Sequence, residues 1–261
     1  MKHSFLDRYS DIDSLIHKLD PRTKFIAAFA FVLAVVLTPP AEWYAFALYF
    51  ALISCVILLS KVPPLYVLKR SLVIIPFVLV IAIFIPFFKE GETAGSFNVW
   101  LWEVKVTYSG LLVLWNVTIK AWLSILSMVL LSATTRFADL LKGLGRLGMP
   151  TVMVMILSFM YRYIFVLVDE VIRLRRARDS RNFGGKRLWQ LKTIGNMAGT
   201  LFIRSYERGE RVYAAMVARG FDGQTRTLTD LRFQAVDLYY TLGFAAVLAL
   251  IGATILLGWG S

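Results

Sequence analysis

Six nearly uncharged apolar runs punctuate the chain, at about 23–37, 41–60, 71–88, 109–133, 149–168 and 234–259. A helix of roughly 17 to 25 apolar residues crosses a bilayer, because it satisfies its backbone N–H and C=O groups internally. Runs of that length dictate an all-α integral membrane protein. The chain is 58% hydrophobic and 18% charged, with a mean hydropathy of +0.65. That balance excludes a soluble helical enzyme, in which about a quarter of the residues would be charged. The first run is short, but Pro21 and Pro39-Pro40 frame it as one helix with a turn at its outer end. Ahead of it, Met1 to Asp20 carries Lys2, Asp7, Arg8, Asp11, Asp13 and Lys18 and no cleavable signal pattern, so membrane entry is expected from the spans themselves. The lone Cys55 lies in an apolar run and reads as a small buried hydrophobe.

Orientation follows from where lysine and arginine fall. Arg22 and Lys24 precede the first run, whereas the turn from Thr38 to Glu42 has neither residue type, which places the N-terminus inside. Lys61, Lys69 and Arg70 put the next link inside, and Glu90, Glu92 and Glu103 put the link 89–106 outside. The run 109–133 then returns to Arg136, Lys142 and Arg146. If 149–168 also crossed, the stretch 169–233 would lie outside with 14 Lys and Arg against 7 Asp and Glu, a formal excess of +7. About five spans are therefore favoured, with 149–168 lying along the inner boundary or docking a partner, and a sixth span is the alternative. Residues 1–133 form a bundle of four spans, 134–233 a cytoplasmic insert of long helices, and 234–261 the last span. The net charge of +12 allows nucleic acid, anionic lipid or an acidic protein as partner. Its concentration beside apolar spans points to the lipid bilayer and to protein, not to nucleic acid.

Within the insert, Phe137, Leu140, Leu141, Leu144 and Leu147 recur at helical spacing until Gly148 and Pro150. A second helix runs from Pro150 into Arg173, Arg175, Arg176, Arg178 and Arg181 and is expected to stop at Asn182-Phe183-Gly184-Gly185. A third spans about Lys186 to Arg219 and closes at Gly220, which can adopt the left-handed conformation of a C-terminal cap. Along it, Gly195, Ala198, Ser205 and Gly209 form a stripe that would let another helix approach closely. Two long helices thus each finish in an arginine set just before a stop. Such a residue either compensates the helix dipole or offers a planar five-donor fork to carboxylates and carbonyls in a partner's groove.

Catalytic and metal chemistry find no constellation here. No Gly-x-x-x-x-Gly-Lys-Ser/Thr loop, His-Glu-x-x-His pair or cysteine pair occurs, His3 and His17 have no companion ligands, and no nucleophile has a base and orienter beside it. No cofactor and no metal site is expected. Asn116 and Lys120 lie one turn apart in the fourth span. An intramembrane lysine is either a functional residue, here lining the path of a self-sufficient permease, or a packing residue bonded to a neighbouring helix.

Two tripeptides carry a resemblance. Ala218-Arg219-Gly220, followed by Phe221-Asp222-Gly223, and Ala177-Arg178-Asp179 stand at the ends of the two long helices. Leu19-Asp20-Pro21-Arg22-Thr23-Lys24 precedes the first span, and Thr135-Arg136-Phe137 with Leu140 and Leu141 opens the insert. In these the chain resembles, over nearly its whole length, the transmembrane T-component of energy-coupling-factor transporters of the cobalt type, the CbiQ family. That family's signature is two Ala-Arg-Gly motifs, and Asp179 stands where the first has glycine. The resemblance implies a non-enzymatic scaffold in the inner (plasma) membrane. Two cytoplasmic ATPase subunits would bind at Ala177, Arg178 and Asp179 and at Ala218, Arg219 and Gly220. A separate integral membrane subunit would hold the solute, cobalt or nickel. Met149, Met153 and Met160, soft side chains able to re-pack, are the expected contact with that subunit.

Overall fold

A computed structural model describes residues 12–40, 42–82, 93–99, 102–181, 187–223 and 233–257. Its helices are α1 (Pro21–Leu37), α2 (Trp43–Ser60), α3 (Pro64–Leu72), α4 (Ile75–Ala82), α5 (Tyr108–Thr134), α6 (Phe137–Arg146), α7 (Thr151–Asp179), α8 (Arg187–Ala218) and α9 (Ala235–Leu256). Between α4 and α5 stands an antiparallel hairpin of β1 (Thr93–Val99) and β2 (Trp102–Thr107), with Val99 opposite Trp102 and an irregularity at Thr93/Gly95. The described residues are thus all-helical apart from one small ribbon in the link 89–106. Four of the helices, α2, α5, α7 and α9, are long and apolar enough to cross a membrane. At 17 residues, α1 sits at the lower edge of that length.

The chain divides into two units, Ser4–Gly143 with Leu231–Ser261, and Leu144–Asp230. In the first, the sequence sets its own helix ends. Asp20 caps α1 by accepting the N–H of Arg22 at 2.9 Å, and Pro21 takes the first helical position, where a missing N–H loses nothing. Thr38 ends α1 in an extended conformation, because a residue before proline avoids the helical region. The apolar run 71–88 does not begin as one helix. Leu72 ends α3, a turn follows at Val73-Ile74, and Pro76 lies in the first turn of α4, where proline is tolerated. The remainder of that run, 83–88, lies outside the described residues, as do the acidic residues Glu90 and Glu92.

At the centre of this unit α5 packs against α1, α2, α3 and α4, and α9 packs against α1 and α2. Phe31, Val35, Ala45, Tyr49, Leu123 and Leu126 form the tightest part of the core. Phe31 meets Tyr49 edge-on at 5.7 Å, and Phe50 stacks on Trp122 at 5.6 Å. Lipid tails are as apolar as leucine, so burying these side chains gains little from leaving water, and close packing and hydrogen bonds hold the helices together. Those links include Trp122 Nε1 donating to Ser71 Oγ (3.2 Å) and Tyr44 Oη to the Thr254 carbonyl (3.2 Å). Outward, Ile26, Phe29, Leu33 and Val36 stay exposed on α1, as a lipid-facing stripe requires. Cys55 is exposed too, contrary to the expectation of burial, because its position on α2 turns away from the core stripe of Tyr49, Ile53 and Val56.

In the second unit α7 and α8 run antiparallel. Val171, Leu174, Arg175 and Arg178 on α7, at spacings of three and four, face Ile194, Met197, Ala198 and Leu201 on α8. Glu170 joins the helices: it accepts from Arg173 at 2.6 Å and from Arg204 across the pair. Further along, the Arg208 guanidinium lies 6.0 Å from the Tyr163 ring centroid. None of the residues of α7 is buried. The small-residue stripe on α8 meets a helix only in part. A Cβ added at Gly195 or Gly209 would find nothing within 4 Å, and only the inner pair, Ala198 and Ser205, reaches the α7 side.

Candidate coupling segment

The two tripeptides end their helices by different means. At the end of α8, the Phe221 N–H donates to the Met216 carbonyl (3.1 Å) and the Gly220 N–H to that of Val217 (2.9 Å), with Gly220 at φ +80. This pair of bonds is a Schellman cap, and it requires a left-handed residue at position 220, where glycine has no Cβ to clash. Arg219 is therefore the last residue before the reversal. It is exposed and makes no ion pair among the described residues. The cap that sequence placed at Gly220 is present.

Arg178 is set differently. It lies inside α7, which continues through Asp179 to Ser180 in a right-handed conformation. With aspartate in place of glycine no left-handed cap forms. Asp179 Oδ1 instead accepts from Arg178 Nε at 3.0 Å and Nη2 at 2.8 Å. The guanidinium is half-buried against the α7–α8 stripe while its carboxylate partner is exposed. The helix thus stops at Asp179, ahead of the stop foreseen at Asn182-Phe183-Gly184-Gly185, residues that lie outside the described ones. Ala177 and Ala218 are the small neighbours of the two arginines, both exposed.

Of the methionines, Met149 is half-buried in the turn between α6 and α7, where its N–H donates to the Leu144 carbonyl at 3.1 Å. Met153 and Met160, seven positions apart on α7, are both exposed, as are Val152 beside the first and Ile156 between them. Met153 and Met160 thus lie on an open apolar face of α7.

The intramembrane lysine has a structural duty. Lys120 Nζ donates to the carbonyls of Val36 (2.9 Å) and Thr38 (2.7 Å), two of the groups that the end of α1 leaves without intrahelical partners. Asn116, one turn before it, is buried. His17 is tied to Ser14 Oγ through Nδ1 at 2.7 Å, a local contact within the approach to α1, and His3 lies outside the described residues. Among the described residues no cluster of three or more His, Cys, Asp or Glu side chains could hold a metal ion.

One polar centre was not anticipated. Asp237, in the first turn of α9, accepts the Asp20 N–H through Oδ1 (2.7 Å) and the Gln234 N–H through Oδ2 (2.8 Å). Beside it the buried Lys24 donates to the carbonyls of His17 (3.1 Å) and Thr134 (3.0 Å), and the carboxylates of Asp139, Asp237 and Asp20 offset its charge. The Leu19-to-Lys24 segment is thus a knot that fastens the starts of α1 and α9 to the end of α5. The only sequence signal for Asp237 was a lone carboxylate in the last apolar run.

Comparison with known proteins follows the same lines. A family model described as cobalt transport protein, CbiQ, matches residues 13–229. The energy-coupling factor transporter transmembrane protein EcfT of Listeria innocua is 30% identical over 265 residues, covering 96% of this chain and 98% of that protein. EcfT of Clostridium kluyveri is 29% identical over 275 residues, 100% of this chain and 99% of its own. A putative fused cobalt transport protein CbiMQ of Methanocorpusculum labreanum is 28% identical over 224 residues, 81% of this chain but 37% of that protein.

Proposed function

The chain belongs to the CbiQ family of cobalt transport proteins, and we propose that it is the transmembrane coupling scaffold of an ATP-driven importer for cobalt or nickel. It binds no solute and breaks no bond itself. Two cytoplasmic ATPase subunits dock at Arg178 and Arg219, and a separate integral membrane subunit carries the solute and rests on the face with Met149, Met153 and Met160. The bundle lies in the plasma membrane with its N-terminus and residues 134–233 on the cytoplasmic side. With 29 residues, α7 is a lever about 43 Å long at 1.5 Å per residue.

The observation that carries this reading is Arg219, an exposed arginine with no ion pair among the described residues, held in one place by the cap at Gly220. Its fork suits carboxylates and carbonyls in a groove of an ATPase, where a lysine gives only a point charge. Arg219→Ala, Arg178→Ala and the double substitution test it through capture of the ATPases and cobalt uptake in cells. Loss of a fork buried in a partner's groove costs about 2 to 5 kcal/mol of docking, and Arg219→Lys rescues poorly. Normal ATPase capture and uptake in the double variant would end this reading.

A further inference from the structure

The groove between α7 and α8 has a volume of about 360 Å³, within the roughly 300–1,000 Å³ of small-molecule sites. Val171 and Leu174 give it one apolar side, Ile194 and Leu201 the other, and its charged lining among the described residues is Arg175 and Arg178. Arg178 is already engaged by Asp179 at 2.8 Å. Arg175 is exposed and makes no ion pair among the described residues.

The place of this groove along α7 is informative. The helix is largely apolar from Thr151 to Val168, apart from Arg162, and after Asp169 and Glu170 carries Arg173, Arg175, Arg176 and Arg178, with Arg181 just past its end. The groove opens at Val171, where a hydrocarbon-compatible surface gives way to a basic one. Tyr161 and Tyr163, side chains favoured at the level of lipid headgroups, lie two to three turns before it. An apolar slot with an unpaired guanidinium at that level suits an amphiphile with an acidic head.

We infer that this groove binds an anionic glycerophospholipid, one acyl chain lying between Val171, Leu174, Ile194 and Leu201 and the phosphate meeting Arg175. The predominantly apolar lining makes free phosphate a poor occupant, and the basic excess around it selects an anionic over a zwitterionic headgroup. The groove borders the proposed anchor Arg178, but the phosphate contact falls to Arg175, which is neither of the ATPase anchors.

The test uses the full chain, without ATPases, in nanodiscs of phosphatidylcholine with a minor share of phosphatidylglycerol, and native mass spectrometry to count retained lipids. Phosphatidylglycerol is retained in preference to phosphatidylcholine, and Arg175→Gln lowers that retention about fivefold, the effect of one basic residue near a membrane surface. Ala198→Trp, which fills the groove without changing charge, lowers it as well, whereas Ile156→Trp, elsewhere on α7, leaves it unchanged. Circular dichroism confirms that each variant keeps its helices. Equal retention of the two lipids, no effect of either groove variant, equal loss in Ile156→Trp, or displacement by inorganic phosphate would each overturn the proposal.

Discussion

The Asp237 carboxylate accepts the backbone N–H of Asp20 at 2.7 Å, across 217 positions of sequence. Through its other oxygen it also holds the N–H of Gln234 and so caps its own helix, α9. One side chain thus fixes where two helices begin. Asp20 in turn caps α1, so the residues form a chain of caps at one end of the bundle.

The first prediction tests that chain of caps. Asp237→Asn keeps one acceptor oxygen but turns an NH2 toward a second N–H, and Asp237→Ala removes both acceptors. Buried hydrogen bonds to a charged group contribute about 1.5 to 3 kcal/mol each. The purified bundle should melt earlier in Asp237→Asn and earlier still in Asp237→Ala, read by thiol-reactive dye or circular dichroism. Unchanged melting in both variants would show that the bond is incidental.

Lys120 gives a prediction with two separable readouts. Two charged hydrogen bonds to the end of α1 make it a fastening between α5 and α1. Lys120→Met should lower thermal stability by about 1.5 to 3 kcal/mol, while cobalt uptake per folded transporter stays normal. Loss of uptake without loss of stability would instead favour a solute path along Asn116 and Lys120.

Much of this architecture was legible because its signals are local. Proline fixed the limits of α1, and a lone glycine fixed the end of α8. Asp237 and Lys120 were visible as odd residues in apolar runs, but their partners were not. Asp20 offers a backbone N–H and Val36 a backbone carbonyl, groups that every residue possesses and no pattern marks. The α8 stripe meets a helix only in part, for a geometric reason. Ala198 and Ser205 line the α7 side with Ile194, Met197 and Leu201, but Gly195 and Gly209 at the ends of the stripe have open space around them. Small size permits close approach without compelling it, and the apolar neighbours decided the contact.

Gly220 separates cap geometry from charge. At φ +80 any residue with a Cβ is strained by about 1 to 2 kcal/mol, yet space around it is open, so Gly220→Ala disturbs nothing but the helix end. Capture of the ATPase at Arg219 should weaken although the arginine is intact, and melting of the bundle should not change. Full capture in Gly220→Ala would mean that the cap does not place Arg219.

Topology and the methionine face are tested by labelling. In a Cys55→Ser background, a cysteine at position 180 should be closed to an impermeant reagent in intact cells and one at 261 open, as the basic charge of 169–233 requires. Photocrosslinkers at Met153 and Met160, both exposed, should capture the solute-binding membrane subunit. Labelling at 180 from outside, or crosslinks to the ATPases alone, would refute the respective assignment.

The last prediction concerns the clasp at Glu170, which joins Arg173 on its own helix to Arg204 on the other. The α7–α8 pair buries no residue of α7, so it lacks the packed core that holds the bundle together. What keeps the two levers moving as one is a pair of apolar stripes, the clasp, and Arg208 over Tyr163. Exposed ion pairs contribute only about 0–1 kcal/mol singly, and more when several charges share a network. Against so thin an interface even that is a large fraction. Glu170→Gln removes the shared carboxylate and leaves two guanidinium groups facing each other, so the helices should part more often. Hydrogen exchange over 194–208 should quicken several-fold, by more at low salt than at high salt, where screening already weakens the clasp. Transport should fall while ATPase capture at Arg219 persists, because the anchor remains but the force it receives is no longer passed between the helices. Unchanged exchange and unchanged transport would show that the apolar stripes suffice and the clasp is ornamental.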